Sequence, residues 1–221
     1  VFVTTALLVK EHFTVIPAKK LKPMKQIFKH LNNQRLIVVM FLTTLLVQAS
    51  LMSISPIISL LVRQLMHNQG NISLISGIIA AMPGFGTLLV AARIGHLMDK
   101  VGAQKILVSG LLLSMLVFIP MYFVQNAWQL GILRFLLGIS SAAMLPAVQT
   151  VLTVDVPHEA FGRIFSYNQS SQAIGGVLGP ILGSVISSAF NYQTVFLFTA
   201  VFLLVNLSLL AIINLKQRKD L

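Results

Sequence analysis

Cysteine is absent from this 221-residue chain, which excludes disulfides and thiolate-ligated metal centres. Acids are almost as scarce. Glu11, Asp99, Asp155, Glu159 and Asp220 are all of them, and each is expected in a loop, a tail or at a helix end. Charged residues make up 10% of the chain, against the ~25% usual in a soluble domain. The sequence offers no embedded acid pair and no nucleophile beside a base, so an intramembrane enzyme would lack its chemistry. His12, His30, His67, His96 and His158 are dispersed, with no pair at metal-ligand spacing, and no metal or cofactor is expected.

What fills the chain instead is hydrocarbon. Hydrophobic residues account for 56% of it and the mean hydropathy is +0.88. Six apolar stretches stand out, at 36–62, 73–94, 105–125, 129–153, 164–189 and 194–213. Each reaches the ~20 residues a helix needs to cross a bilayer core of ~30 Å. Backbone polar groups in lipid must be satisfied within the segment, so these stretches predict helices. The expected fold is all-α, a polytopic membrane protein whose six-transmembrane-helix bundle occupies residues 36–215. Val1–Val9 is apolar but too short to span. It is expected to end a preceding transmembrane helix, which would make the chain a piece of a longer protein. Residues 10–35, with Pro17 and Pro23, read as a basic linker, and 216–221 as a tail.

The net charge of +11 would suggest a nucleic-acid partner in a soluble protein, but its placement points to topology. Lys10, Lys19, Lys20, Lys22, Lys25, Lys29 and Arg35 precede the first span. Arg93, Lys100 and Lys105 surround the second connection, Arg163 lies in the fourth, and Lys216, Arg218 and Lys219 close the chain. These segments alternate, so all fall on one side, whereas the opposite connections hold only Arg63. The positive-inside rule makes the basic side cytoplasmic, with the C-terminus inside a cell (cytoplasmic) membrane. No nucleic acid is expected as a partner. The connections Met66–Ile72, Gln125–Ala127 and Asn191–Gln193 are short, predicting a compact bundle with sequential spans as neighbours.

Polar residues are unevenly shared among the spans. The third and sixth are Leu/Val/Phe runs expected to face lipid. The first carries Thr43, Thr44, Gln48, Ser50, Ser53, Ser55 and Ser59. The fourth carries Arg134, Ser140, Ser141, Gln149, Thr150 and Thr153, and the fifth an unbroken polar run from Ser166 to Gln172. Such groups are costly in lipid unless they face protein or water, so spans one, four and five are expected to line an interior, joined by span two. Met52, Met82, Phe85, Met144 and Tyr167 lie on these spans, and soft side chains of this kind suit a site for varied apolar ligands. Ordinary packing is the competing reading. Gln48, Gln149, Asn168 and Gln172 could bond a ligand or a neighbouring helix.

Three motifs carry more specific information. The second basic connection runs Gly95-His-Leu-Met-Asp99-Lys100-Val-Gly102-Ala-Gln-Lys105. Its glycines permit a tight reversal, and Asp99 can accept from a helix N-terminus or pair with a base. It resembles the GxLaDrxGrk loop of the major facilitator superfamily, with Ala103 and Gln104 replacing basic positions. The resemblance implies a gating role for Gly95, Asp99, Lys100, Gly102 and Lys105. In span five, Ser171, Gly175, Gly179, Gly183 and Ser187 recur every four residues on one face, which permits close helix approach. With Pro180 this stretch resembles the gxxxGPxxGG motif of drug antiporters, with Ser184 in place of the last glycine. Packing and gating are compatible roles for Gly175, Gly179, Pro180 and Gly183. In span four, Arg134 and Gly138 resemble the superfamily's R-x3-G helix. Arg134 is either a functional intramembrane charge or a side chain that snorkels to the nearby surface or pairs structurally.

The strings Leu145-Pro-Ala-Val-Gln-Thr150 and Gly162-Arg-Ile-Phe-Ser-Tyr-Asn-Gln-Ser170 are more specific. With the rest of the chain they resemble the C-terminal half of MdtG-type multidrug efflux transporters, in the drug:proton antiporter branch of the superfamily. The resemblance implies export of hydrophobic drugs by alternating access. Its implied partners are small hydrophobic substrates, protons, membrane lipid and the N-terminal six-helix half of the same protein. With no acid inside a span, a proton-coupling carboxylate is expected in that other half. The substrate candidates are Gln48, Met52, Met82, Phe85, Arg134, Met144, Gln149, Tyr167, Asn168 and Gln172. A carrier for a metabolite such as a sugar or organic anion is the alternative, and a non-transporting structural or sensor protein a more distant one.

Overall fold

The structure, a computed structural model, describes residues 34–157 and 160–217. The terminal segment 1–9, most of the linker, the last four residues of the tail, His158 and Glu159 lie outside the described residues. The described chain is helical. The elements in order are α1 (Gln34–Met52), α2 (Ile58–Leu65), α3 (Ile72–Val101), α4 (Ala103–Met121), α5 (Ala127–Ser141), α6 (Met144–Asp155), α7 (Phe161–Ala189) and α8 (Thr194–Gln217). Six segments are long and apolar enough to cross a bilayer: α1, α3, α4, α5 with α6, α7 and α8. This is the expected six-transmembrane-helix bundle.

Two expected spans are interrupted, each by a proline. The first is expected over 36–62, but α1 ends at Met52 and a turn precedes α2. Pro56 has no N–H to offer the Met52 carbonyl, which takes the Ser55 N–H at 3.2 Å instead. The fourth breaks at Ala142 and Ala143, between α5 and α6. Pro146 lies in the first turn of α6, where its ring excludes a regular bond to Ala142 and the missing N–H is tolerated.

Sequential packing holds for spans three and four, where α4 lies against both α5 and α6, but most of the packing joins spans that are not consecutive. α1 lies along α7, α3 along α5, and α4 along α8, and these three pairs carry the densest contacts. Short connections alternate the direction of the spans, so the first two pairs run parallel and the third antiparallel. The pairing is unchanged when spans one, two and three are exchanged with four, five and six. That is the pattern of an inverted three-helix repeat.

Small residues set the two parallel contacts. A Cβ on Gly175, Gly179 or Gly183 of α7 would overlap the Leu45, Ala49 or Ser53 carbonyl of α1. A Cβ on Gly138 of α5 would overlap Pro83 of α3, and one on Gly86 would overlap the Phe135 carbonyl. Apolar side chains are as well solvated by lipid as by protein, so close backbone approach and interhelical hydrogen bonds supply the attraction.

Polar seams support these contacts. Thr44 Oγ1 lies 2.7 Å from Asn168 Oδ1 across the α1–α7 contact. Thr43 Oγ1 donates to Asn206 Oδ1 at 2.9 Å, and Ser53 pairs with Thr199 at 3.1 Å, both across α1–α8. Ser114 and Ser140 meet at 2.7 Å between α4 and α5. Spans three and six are thus not simply lipid-facing. Phe118 and Phe196 stack fully buried, while Leu113, Leu116, Val201 and Leu204 stay exposed on the outer faces. The helices with most open surface are instead α3 and α7. In their most apolar stretches 17% of residues are buried, against 39–50% in the other spans.

Candidate functional site

The turn between α3 and α4 is one residue long. α3 continues through Gly95 and Asp99 to Val101, and Gly102 alone reverses the chain at φ +95°, a conformation that L side chains rarely adopt. The Gly102 N–H bonds the Met98 carbonyl at 2.8 Å, and the Gly102 carbonyl takes the Ile106 N–H at 3.2 Å. Ile94, Ile106 and Ala143 pack beneath, with Val90, Met98 and Ala142 around them. The motif therefore splits: Gly102 makes the turn, whereas Gly95 is an exposed helical residue with open space where a Cβ would go. Asp99 and Lys100 are exposed in the last turn of α3. A carboxylate there opposes the negative end of the helix dipole and gains by meeting a positive partner. Gly102 and Lys105 border an open groove of about 540 Å³ with Leu36 of α1 and Thr150, Val151 and Val154 of α6.

Toward the opposite end, α3 and α5 enclose a second cleft of about 300 Å³. Its walls are Ile75, Ile78, Ile79 and Met82 from α3 and Trp128, Gly131, Ile132 and Phe135 from α5. Among the described residues, no charged, hydroxyl or amide side chain lines it. The start of α5 is fixed by Asn126, whose side chain accepts the Gln129 N–H at 2.9 Å, while Gln129 Oε1 accepts the Gln125 N–H at 3.1 Å. This cap positions Trp128, which is 72% exposed at the cleft mouth. Met82 is the one expected substrate residue in these walls; its aromatic and isoleucine partners are not among the expected ones. Isoleucines at 75, 78, 79 with Met82 form an i, i+3, i+4, i+7 stripe, so the signal was present.

The other candidates are scattered by the fold. Phe85 is exposed on α3, one turn from Met82. Tyr167 is half exposed on α7, whose polar run otherwise divides. Ser166 and Ser170 satisfy their hydroxyls on carbonyls one turn back, and Asn168 turns inward to Thr44. Gln172 is half-buried and Gln149 exposed. Gln48 and Met52 carry the Cβ atoms that Gly175 and Gly179 approach, which places them in the α1–α7 contact. Met144 is fully buried against Gly110 of α4 and lines neither cleft. Pro180 is half-buried in α7, beside Gly179.

Arg134 does not snorkel. It is 8% exposed, and its Nε donates to the Ile79 carbonyl of α3 at 3.1 Å. It stands behind the cleft wall.

The sequence profile described as Major Facilitator Superfamily matches residues 40–220. The chain is 48% identical over 206 residues to the multidrug resistance protein MdtG of Escherichia fergusonii, covering 93% of this chain and 50% of that one. The MdtG proteins of Citrobacter koseri and Salmonella schwarzengrund are each 45% identical over 205 residues, again 93% of this chain. The chain spans about half the length of the curated relatives it matches.

Proposed function

The chain belongs to the Major Facilitator Superfamily, and from that premise we propose that it forms the C-terminal half of an exporter of hydrophobic compounds. The exporter would work across the cytoplasmic membrane by proton antiport. The observation that carries the reading is the cleft between α3 and α5, whose lining is entirely apolar and aromatic. A sugar or organic-anion carrier needs convergent donors or cations in that position, and among the described residues this cleft offers no cation and only the Trp128 indole N–H as a side-chain donor. Shape-adaptable Met82 and the flat faces of Trp128 and Phe135 suit ligands that share apolarity rather than a hydrogen-bonding pattern. Relatives named for multidrug resistance support the same substrate class.

Transport would follow from rocking of this bundle against the other half about a site near the midplane. The open faces of α3 and α7 are the surfaces this bundle has available for that partner. Asp99 and Asp155, the acids of the described helices, sit at helix ends. The titrating group for proton coupling is therefore assigned to the other half. Met82→Trp in the intact transporter tests the reading by filling the cleft. Export of an apolar fluorescent dye is expected to fall sharply at unchanged membrane abundance. Undiminished export of several unrelated dyes would show that the cleft is not the substrate path.

A further inference from the structure

Pro83 lies in the middle of α3. In a regular helix the N–H at position 83 bonds the carbonyl of Ile79, and proline has no N–H to give. That carbonyl would be left bare inside the membrane, where nothing else can solvate it. The structure fills the vacancy from another helix. Arg134 of α5 donates its Nε–H to the Ile79 carbonyl at 3.1 Å, in a site where the arginine is nine-tenths buried. One turn further along α5, Gly138 lies against the Pro83 backbone so closely that any Cβ would overlap it. Thr87 Oγ1 then donates to the Gly138 carbonyl at 3.2 Å. The spacing of Arg134 and Gly138 thus matches that of Ile79 and Pro83 on the parallel neighbour. The arginine supplies the missing donor and the glycine admits the ring-bearing turn.

We propose that Arg134 is a positioning residue, a latch that replaces the hydrogen bond lost at Pro83 and fixes the outer segment of α3 to α5. That segment, Ile72–Met82, carries one wall of the apolar cleft, and α5 carries the other. Without the latch, α3 is weakest at the point dividing the cleft wall from the Gly102 turn. Arg134 thereby shapes the cleft without lining it. The bearing on transport rests on the function proposed above; the latch itself rests on the Ile79 carbonyl and its donor.

The test is a double-mutant cycle in the intact transporter, with Arg134→Met, Pro83→Ala and their combination. Methionine keeps the bulk of the side chain and removes the donor. Alanine at 83 restores the helix's own N–H. Arg134→Met is expected to lower the thermal midpoint in detergent by several degrees and to raise KM for an exported dye severalfold. Pro83→Ala in the same chain is expected to recover most of both losses, although it returns no charge. Arg134→Lys, which keeps a charged donor at lower reach, is expected to fall between. If Arg134→Met does not accumulate, its membrane yield with and without Pro83→Ala is compared in the same way. The latch is overturned if Pro83→Ala shifts the midpoint or yield equally in both backgrounds, or if Lys alone restores wild-type behaviour while Pro83→Ala rescues nothing. Rescue of the midpoint with KM unmoved throughout would keep the latch and refute the cleft as the substrate site.

Discussion

At the residue scale, glycine position decides whether a methyl group is tolerated. Gly176 and Gly183 both lie on α7, yet Gly183 meets the Ser53 backbone and Gly176 meets nothing within 4 Å. Gly183→Ala must push α1 and α7 apart, an overpacking expected to cost about 1–3 kcal/mol. Gly176→Ala is expected to stabilise by up to ~1 kcal/mol, since alanine is the better helix former. Thermal unfolding of the two variants in one detergent separates them, and equal midpoints would mean that the stripe is not the packing surface. The stripe was legible because its period of four is a property of sequence alone. The division of labour among polar residues was not. Asn168 and Gln172 look equivalent in the sequence, yet Asn168 bonds Thr44, a partner 124 positions earlier. For Arg134 the sequence leaves a functional charge, a snorkelling side chain and a structural pair all open, because its partner is the Ile79 carbonyl freed by Pro83 on a parallel neighbour, and pairing of that kind leaves no local trace.

At the scale of elements, hydropathy placed the six spans with most boundaries within a few residues, because a bilayer enforces length and apolarity together. It failed where proline acts without changing hydropathy, at Pro56 and Pro146, although both residues were visible breakers. It also fails on α8, whose Leu/Val/Phe run is expected to face lipid. Thr199 and Asn206 lie seven residues apart on one helical face, and each is fully buried against α1. The α3–α4 connection shows the same limit: its pattern identified a turn, but only the backbone shows that Gly102 alone makes it. Gly102→Ala forces a side chain into φ +95° and is expected to cost about 1–3 kcal/mol. Gly95→Ala, in an open helical position, is expected to leave the midpoint unchanged or raise it. Chemical denaturation of the two variants gives the comparison, and an unaffected Gly102→Ala would show that the turn is made another way.

At the scale of the molecule, the arrangement of charge makes a claim about orientation. Arg93, Lys100, Lys105 and Arg163 fall at the end of the bundle shared by the α3–α4 turn and the start of α7, while Arg63 lies at the other. Each cation near an anionic leaflet is favoured by roughly 1 kcal/mol, so several acting together outweigh one. The basic end is therefore expected to face the cytoplasm. The absence of cysteine makes the chain a ready background for single-cysteine labelling. His96, exposed near the basic end of α3, and Gln69, exposed in the α2–α3 connection, are suitable positions. In intact cells a membrane-impermeant maleimide is expected to label Gln69→Cys and to spare His96→Cys until the membrane is permeabilised. The reverse pattern would invert the bundle, place the Gly102 turn outside and reverse the side from which the groove beside it opens. Labelling of both from outside would mean that His96 is reached through the protein, by a water-filled path between this bundle and whatever covers α3.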